Sequence, residues 1–145
     1  MNKRFVLLVE DNENDEALTR RAFKQNKMAD RLVVTRDGAE ALDFLLGGGV
    51  HAGRDLDQMP SLILLDLNLP KMDGLEVLRH LSAYERTKLI PVVILTSSDE
   101  EKDIRSSYQL GVNSYIRKPV DYDEFVETVR QLGLYWLKLN DTIDK

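Results

Sequence analysis

The chain contains no cysteine and only two histidines, His51 and His80. Without thiols there is no disulfide framework, no thiolate nucleophile and no cysteine-ligated zinc or iron–sulfur centre. Two isolated imidazoles, one in a loop and one in a helix, offer no histidine-built metal site. Long apolar runs are also missing. The stretch Phe5 to Val9 is too short for the core of a signal peptide or for a membrane span, so a cytoplasmic protein without membrane contact is expected. Positive charge is in deficit: 20 Lys and Arg stand against 25 Asp and Glu, a net charge of -5. That counts against a nucleic-acid partner, because such surfaces need a dense basic stripe to exchange for phosphate counterions.

What is present suits one globular unit. Hydrophobic residues are 43% and charged residues 31% of 145 positions, which is enough apolar surface for one core and too little chain for two. A single domain over residues 1–145 is expected. Five β-rich apolar bursts punctuate the chain: Phe5 to Val9, Leu32 to Thr35, Leu62 to Leu65, Val92 to Leu95 and Ser114 to Ile116. Short continuous runs of this kind are what strands buried on both faces require. The last is the shortest and most polar, and reads as an edge.

After the bursts come helix-start signals, a small polar residue with an acid three positions on. Asp37 with Glu40, Asp73 with Glu76, Ser98 with Glu101 and Asp121 with Glu124 share this pattern, while Asn12 or Asn14 caps the first helix. Beyond each start, apolar residues recur at helical spacing. Strand and helix alternating five times give an α/β, doubly wound parallel sheet, since parallel neighbours need crossovers that place helices on both faces. Ligands of such sheets bind beyond the carboxyl ends of the strands.

Two segments exceed this minimum. A polar, Gly-rich surface loop occupies about 47–60. The last helix extends through Leu134, Tyr135, Trp136, Leu137 and Leu139, apolar on more than one side. At about 100° per residue, three consecutive large side chains cannot all face one sheet, so a homodimer face on the fifth strand and fifth helix is expected.

The strand ends carry the chemistry. Glu10 and Asp11 close the first strand, Asp66 the third, Thr96 the fourth, and Lys118 follows the fifth just before Pro119. If strands one and three are neighbours, three carboxylates converge. A like-charge pair ~4 Å apart costs about 4 kcal/mol at an effective dielectric near 20, so the cluster requires a cation or a proton. All-oxygen ligands suit a hard divalent ion, and Mg²⁺ keeps water for an incoming phosphate. Lys118 then adds a point charge and Thr96 a hydroxyl donor for phosphoryl oxygens, with the Asp66 carboxylate as acceptor of the phosphoryl group.

In this order and context, Glu10-Asp11, Asp66, Thr96 and Lys118-Pro119 resemble the receiver domain of two-component response regulators, across essentially the whole chain. The resemblance implies a flavodoxin-like sheet of order 2-1-3-4-5. It implies that Asp66 takes phosphate from a sensor histidine kinase, with Mg²⁺ held by Glu10, Asp11, Asp66 and the backbone carbonyl of Asn68. It further implies a switch in which Thr96 moves toward the phosphoryl group and Tyr115 rotates inward, and a cis Lys118-Pro119 bond. The Gly-rich loop, the Asp66-Leu67-Asn68-Leu69-Pro70 run and the Trp-bearing last helix are similar to the single-domain regulators paired with phytochrome kinases. Such a protein is a switch with slow self-dephosphorylation and no enzymatic turnover. The competing reading is a Mg-dependent phosphatase or phosphotransferase using an aspartyl-phosphate intermediate. That reading lacks a leaving-group acid, since position 68 is Asn, and lacks a substrate-binding cap segment.

Overall fold

Strands form where the apolar bursts lie. In the computed structural model, which describes residues 4–141, β1 is Val6–Val9, β2 Leu32–Thr35, β3 Leu62–Leu65, β4 Val92–Thr96 and β5 Ser114–Arg117. They build one parallel sheet of order β2-β1-β3-β4-β5. The three inner strands are buried along their whole length, and both edges are only partly so. This matches their sequences: VLLV, LILL and VVILT can face apolar layers on both sides, whereas the SYIR of β5 cannot.

The crossover helices are α1 (Glu13–Gln25), α2 (Gly38–Leu46), α3 (Gly74–Ala83), α4 (Glu101–Gln109) and α5 (Tyr122–Gly133). Alternation along each strand divides the core in two. Leu7, Val9, Ile63, Leu65 and Ile94 meet α2 and α3, while Val6, Leu8, Leu62, Leu64, Val93 and Leu95 meet α1 and α5. Each fully buried aliphatic side chain contributes roughly 1.5–3 kcal/mol, so a one-residue slip of any inner strand would exchange the two cores and is strongly disfavoured.

Capping follows the sequence at four of five helices. Side chains of Asn12, Asp37, Asp73 and Asp121 accept from the backbone N–H groups of Asp15, Glu40, Glu76 and Asp123. The expected Ser98 cap is different. Helix α4 begins at Glu101 behind Glu100, which makes no side-chain cap, because the Ser98 hydroxyl donates instead to Asp103 Oδ2 at 2.7 Å.

The Gly-rich segment is a surface loop with a short 3₁₀ turn at Gly49–His51. Arg54 orders it. Its guanidinium donates to the Phe44 and Gln58 carbonyls, both at 2.6 Å, and stacks over the Phe44 ring. His51 rests edge-on against Phe44 with Nε2 3.4 Å from Glu40. After α5 the chain widens into a π-helical turn over Leu134–Leu139, closed by a bond from the Asn140 N–H to the Tyr135 carbonyl. Leu137 is buried and Trp136 packs on the α1/α5 side of the core, while Leu134, Tyr135 and Leu139 remain exposed.

The expected cis Lys118-Pro119 bond is corrected: no peptide among the described residues is cis. Trans is the lower-energy form even before proline, and here the Lys118 N–H continues the β4–β5 pairing by donating to the Thr96 carbonyl at 2.7 Å. No described helix is long and apolar enough to cross a membrane.

Candidate functional site

All strands of a parallel sheet end on one rim, and the register sets which residues share it. Val9 lies beside Leu65, and Leu65 beside Ile94. Glu10 and Asp66 are therefore the first residues past β1 and β3. Thr96 ends β4 beside Arg117, so Lys118 is the first residue past β5. Four elements far apart in sequence thus deliver side chains to one cleft.

There they interlock. The buried Thr96 hydroxyl donates to Asp66 Oδ1 at 2.8 Å, and the Asn68 N–H donates to the same oxygen at 3.2 Å. Lys118 Nζ donates to Glu10 Oε1 at 2.7 Å, Asp15 Oδ2 at 2.9 Å and Asp66 Oδ2 at 3.2 Å. The second Glu10 oxygen accepts from the Asn12 N–H. Glu10 and Asp66 are only 1% and 6% exposed, so these bonds replace hydration that the charges have lost.

Burial pushes the Glu10 carboxyl up to about 7, against the pull of Lys118 and with the help of the nearby Asp66 charge. Burial acts on Asp66 in the same sense, but there the Lys118 ammonium, the Thr96 hydroxyl and the Asn68 N–H outweigh it and hold the group below the ordinary carboxylate range. Lys118 is raised despite its burial, because Asp15, Glu10 and Asp66 all favour its charge. The nucleophilic candidate is thus the ionised member, and the strain of crowded charge falls on Glu10.

Glu10, Asp15 and Asp66 each offer a carboxylate oxygen within 4.8 Å of the others. This is an all-oxygen donor set of the kind a hard divalent cation prefers, and it already attracts the Lys118 ammonium. Of the residues singled out from sequence, Glu10, Asp66, Thr96 and Lys118 come together. Asp11 is exposed and lies outside this trio of carboxylates, and Asn68 is exposed apart from its N–H bond to Asp66. The Tyr115 hydroxyl donates to the Ser98 carbonyl at 2.9 Å.

Two residues were missed. Asp15 sits in the first turn of α1, where an acid reads as a dipole partner of the helix N-terminus, and only tertiary contact reveals its bond to Lys118. Gly74 opens α3 against the site: a Cβ there would lie 2.6 Å from the Asp66 carbonyl oxygen and 2.8 Å from Leu67 Cα. The Asp-Gly pair at 73–74, at the helix start after the site loop, was the available signal.

Residues 6–130 match the family described as the response regulator receiver domain. The chain is 42% identical over 135 residues to the probable methanogenesis regulatory protein FilR2 of Methanothrix harundinacea, covering 93% of this chain and 84% of that one. It is 39% identical to the response regulator Rcp1 of Synechocystis over 92% of this chain and 88% of the relative. The Mn²⁺-bound form of Rcp1 superimposes with a TM-score of 0.85 at 37% identity, covering 97% and 99% of the two chains. The phosphorylated cyanobacterial phytochrome response regulator RcpA gives a TM-score of 0.87 at 38% identity over 97% and 98%.

Proposed function

The chain belongs to the response regulator receiver domain family, and from that membership we propose that it is a phosphorylation-driven switch whose phosphoacceptor is Asp66. The observation that carries the assignment of Asp66 is its carboxylate, ionised at the strand rim between the Thr96 hydroxyl and the Lys118 ammonium. A sensor histidine kinase is the donor. An Asp66 oxygen attacks phosphorus in line, the O–P bond forms as the P–N bond of the phosphohistidine breaks, and the nitrogen keeps the electron pair and takes a proton from solvent. Thr96 and Lys118 supply a neutral and a charged donor for the phosphoryl oxygens.

Glu10, Asp11, Asp66 and the Asn68 carbonyl are assigned to Mg²⁺. The cation, when bound, offsets the charge brought by the phosphoryl group. The manganese-bound relative and the oxygen-only cluster of Glu10, Asp15 and Asp66 beside these residues support a divalent ion at this rim. Once Asp66 is an acyl phosphate, Thr96 turns to the new oxygens and Tyr115 gives up the Ser98 carbonyl to rotate inward, changing the surface formed by α4, β5 and α5. The phytochrome link rests on the likeness to RcpA, a cyanobacterial phytochrome response regulator, and to two bacteriophytochrome response regulators, each 45% identical to this chain. A cytoplasmic location and a homodimer through β5 and α5 complete the reading, with exposed Tyr135 and Leu139 as support for the latter. The receiver acts as a switch rather than as a phosphatase, since Asn68 cannot protonate a leaving group.

The test is direct. With phosphoramidate or acetyl phosphate and Mg²⁺, intact mass should rise by one phosphoryl group, and Asp66→Asn should abolish the rise. Retention of the modification in that variant, or turnover of a generic phosphate ester, would overturn the proposal.

A further inference from the structure

An ammonium has three N–H bonds to give, and Lys118 spends all three on carboxylates. Asp66 is the nucleophile of the reading above, and Glu10 is one of the groups assigned to the cation. Asp15 is not the nucleophile and is not among the residues assigned to the cation above, although its oxygen lies within 4.8 Å of theirs, and it reaches the cleft from α1 rather than from a strand end. Resting on that reading, we propose that Asp15 is a positioning residue, anchoring the Lys118 ammonium so that it serves the phosphoryl group instead of masking Asp66.

The distances show how the load is shared. Nζ lies 2.7 Å from Glu10 and 2.9 Å from Asp15 but 3.2 Å from Asp66. The longest bond is the one that must be exchanged when an incoming phosphoryl oxygen claims a donor. With Asp15 and Glu10 holding the other two N–H bonds, that exchange leaves the lysine in place. Without the Asp15 charge, the ammonium is shared between Glu10 and Asp66 alone, and it settles on the oxygen that has to attack. A displacement of about 1 Å at such a group is enough to slow transfer.

The side chain can be replaced without disturbing its helix. The Asp15 N–H donates to Asn12 Oδ1 and its carbonyl accepts from the Thr19 hydroxyl, bonds that belong to the backbone. Its side chain is 36% exposed, so a neutral isostere opens no cavity.

The experiment follows uptake of a phosphoryl group from phosphoramidate by intact mass, at saturating donor and over a full magnesium titration. Asp15→Asn should modify about fivefold more slowly than the wild type even at saturating magnesium, and Asp15→Glu should recover to within about twofold. Asp15→Ser serves as a second neutral variant, with thermal melts confirming that each protein is folded. An unchanged rate, or a rate restored by more magnesium, would overturn the inference; the latter would make Asp15 a cation-binding carboxylate. If the wild type takes up no phosphoryl group, the phosphoacceptor reading fails instead. Side-chain NMR shifts of Lys118 in chelator give a readout free of turnover: they should move in Asp15→Asn, and unmoved shifts would likewise count against the inference.

Discussion

Glu10 carries an acid's burden of being both buried and next to another carboxylate. Its proton is held to about 7 in the folded chain against 4.5 for the free group, so between these values the native state binds more protons than the unfolded one. Stability then falls as pH rises through that window, by up to about 1.4 kcal/mol per pH unit, and levels off above it. Asp66 acts with the opposite sign: its folded value is depressed, so its contribution is present above about 4 and lost only in stronger acid. In chelator, urea midpoints should therefore decline from pH 5 to pH 7, and Glu10→Gln should flatten the decline. A profile that rises over that range would contradict the assigned direction. At this scale the chemistry-bearing side chains were legible because strand ends are easy to find and Glu10, Asp66, Thr96 and Lys118 stand at them. Asp15 was not, since an acid in a first turn has an ordinary local explanation and nothing in its neighbourhood names Lys118, 103 positions away.

Elements were read from two kinds of signal, and these differed in strength. Continuous apolar runs located all five strands to within a residue, because burial on both faces leaves few other conformations for such segments. Caps were weaker evidence, since a serine or aspartate can bond to any nearby donor or acceptor. At α2 the Asp37 carboxylate meets the Glu40 N–H at 2.7 Å, and the Glu40 side chain reaches back to the Arg36 N–H at 2.9 Å. Asp37→Ala should cost about 1 kcal/mol, with Asp37→Asn retaining most of it, as read by denaturant unfolding. At α4 the same local pattern misled, because Asp103 competes for the Ser98 hydroxyl and the helix opens two residues later. The π-helical turn was also hidden, and it is flanked by tertiary contacts that no local pattern announces. A Cβ on Gly133 would collide with the Met28 side chain, and the Arg4 guanidinium takes the Asn140 carbonyl at 2.7 Å.

At the scale of the whole molecule, the carboxyl rim of the parallel sheet gathers the charged cluster of Glu10, Asp15, Asp66 and Lys118, and the proposed dimer would use the face of β5 and α5. Exposed Tyr108 on α4 and Tyr135 and Leu139 after α5 are large apolar groups that a second copy of the chain would cover. Sedimentation over a concentration series should show reversible dimers, and Tyr135→Ser with Leu139→Ser should shift the equilibrium toward monomer. A monomer at every concentration would remove the dimer from the account.

Trp136 is the sole tryptophan, and it lies at the other extremity, packed beside the Tyr135 ring where α5 ends near the start of β1. Its indole emission is thus a spectator of events around Asp66 and a gauge of whether the carboxy-terminal turn stays docked. Fluorescence traces from this protein will chronicle unfolding, while the arrival of phosphate must be followed by a probe placed elsewhere.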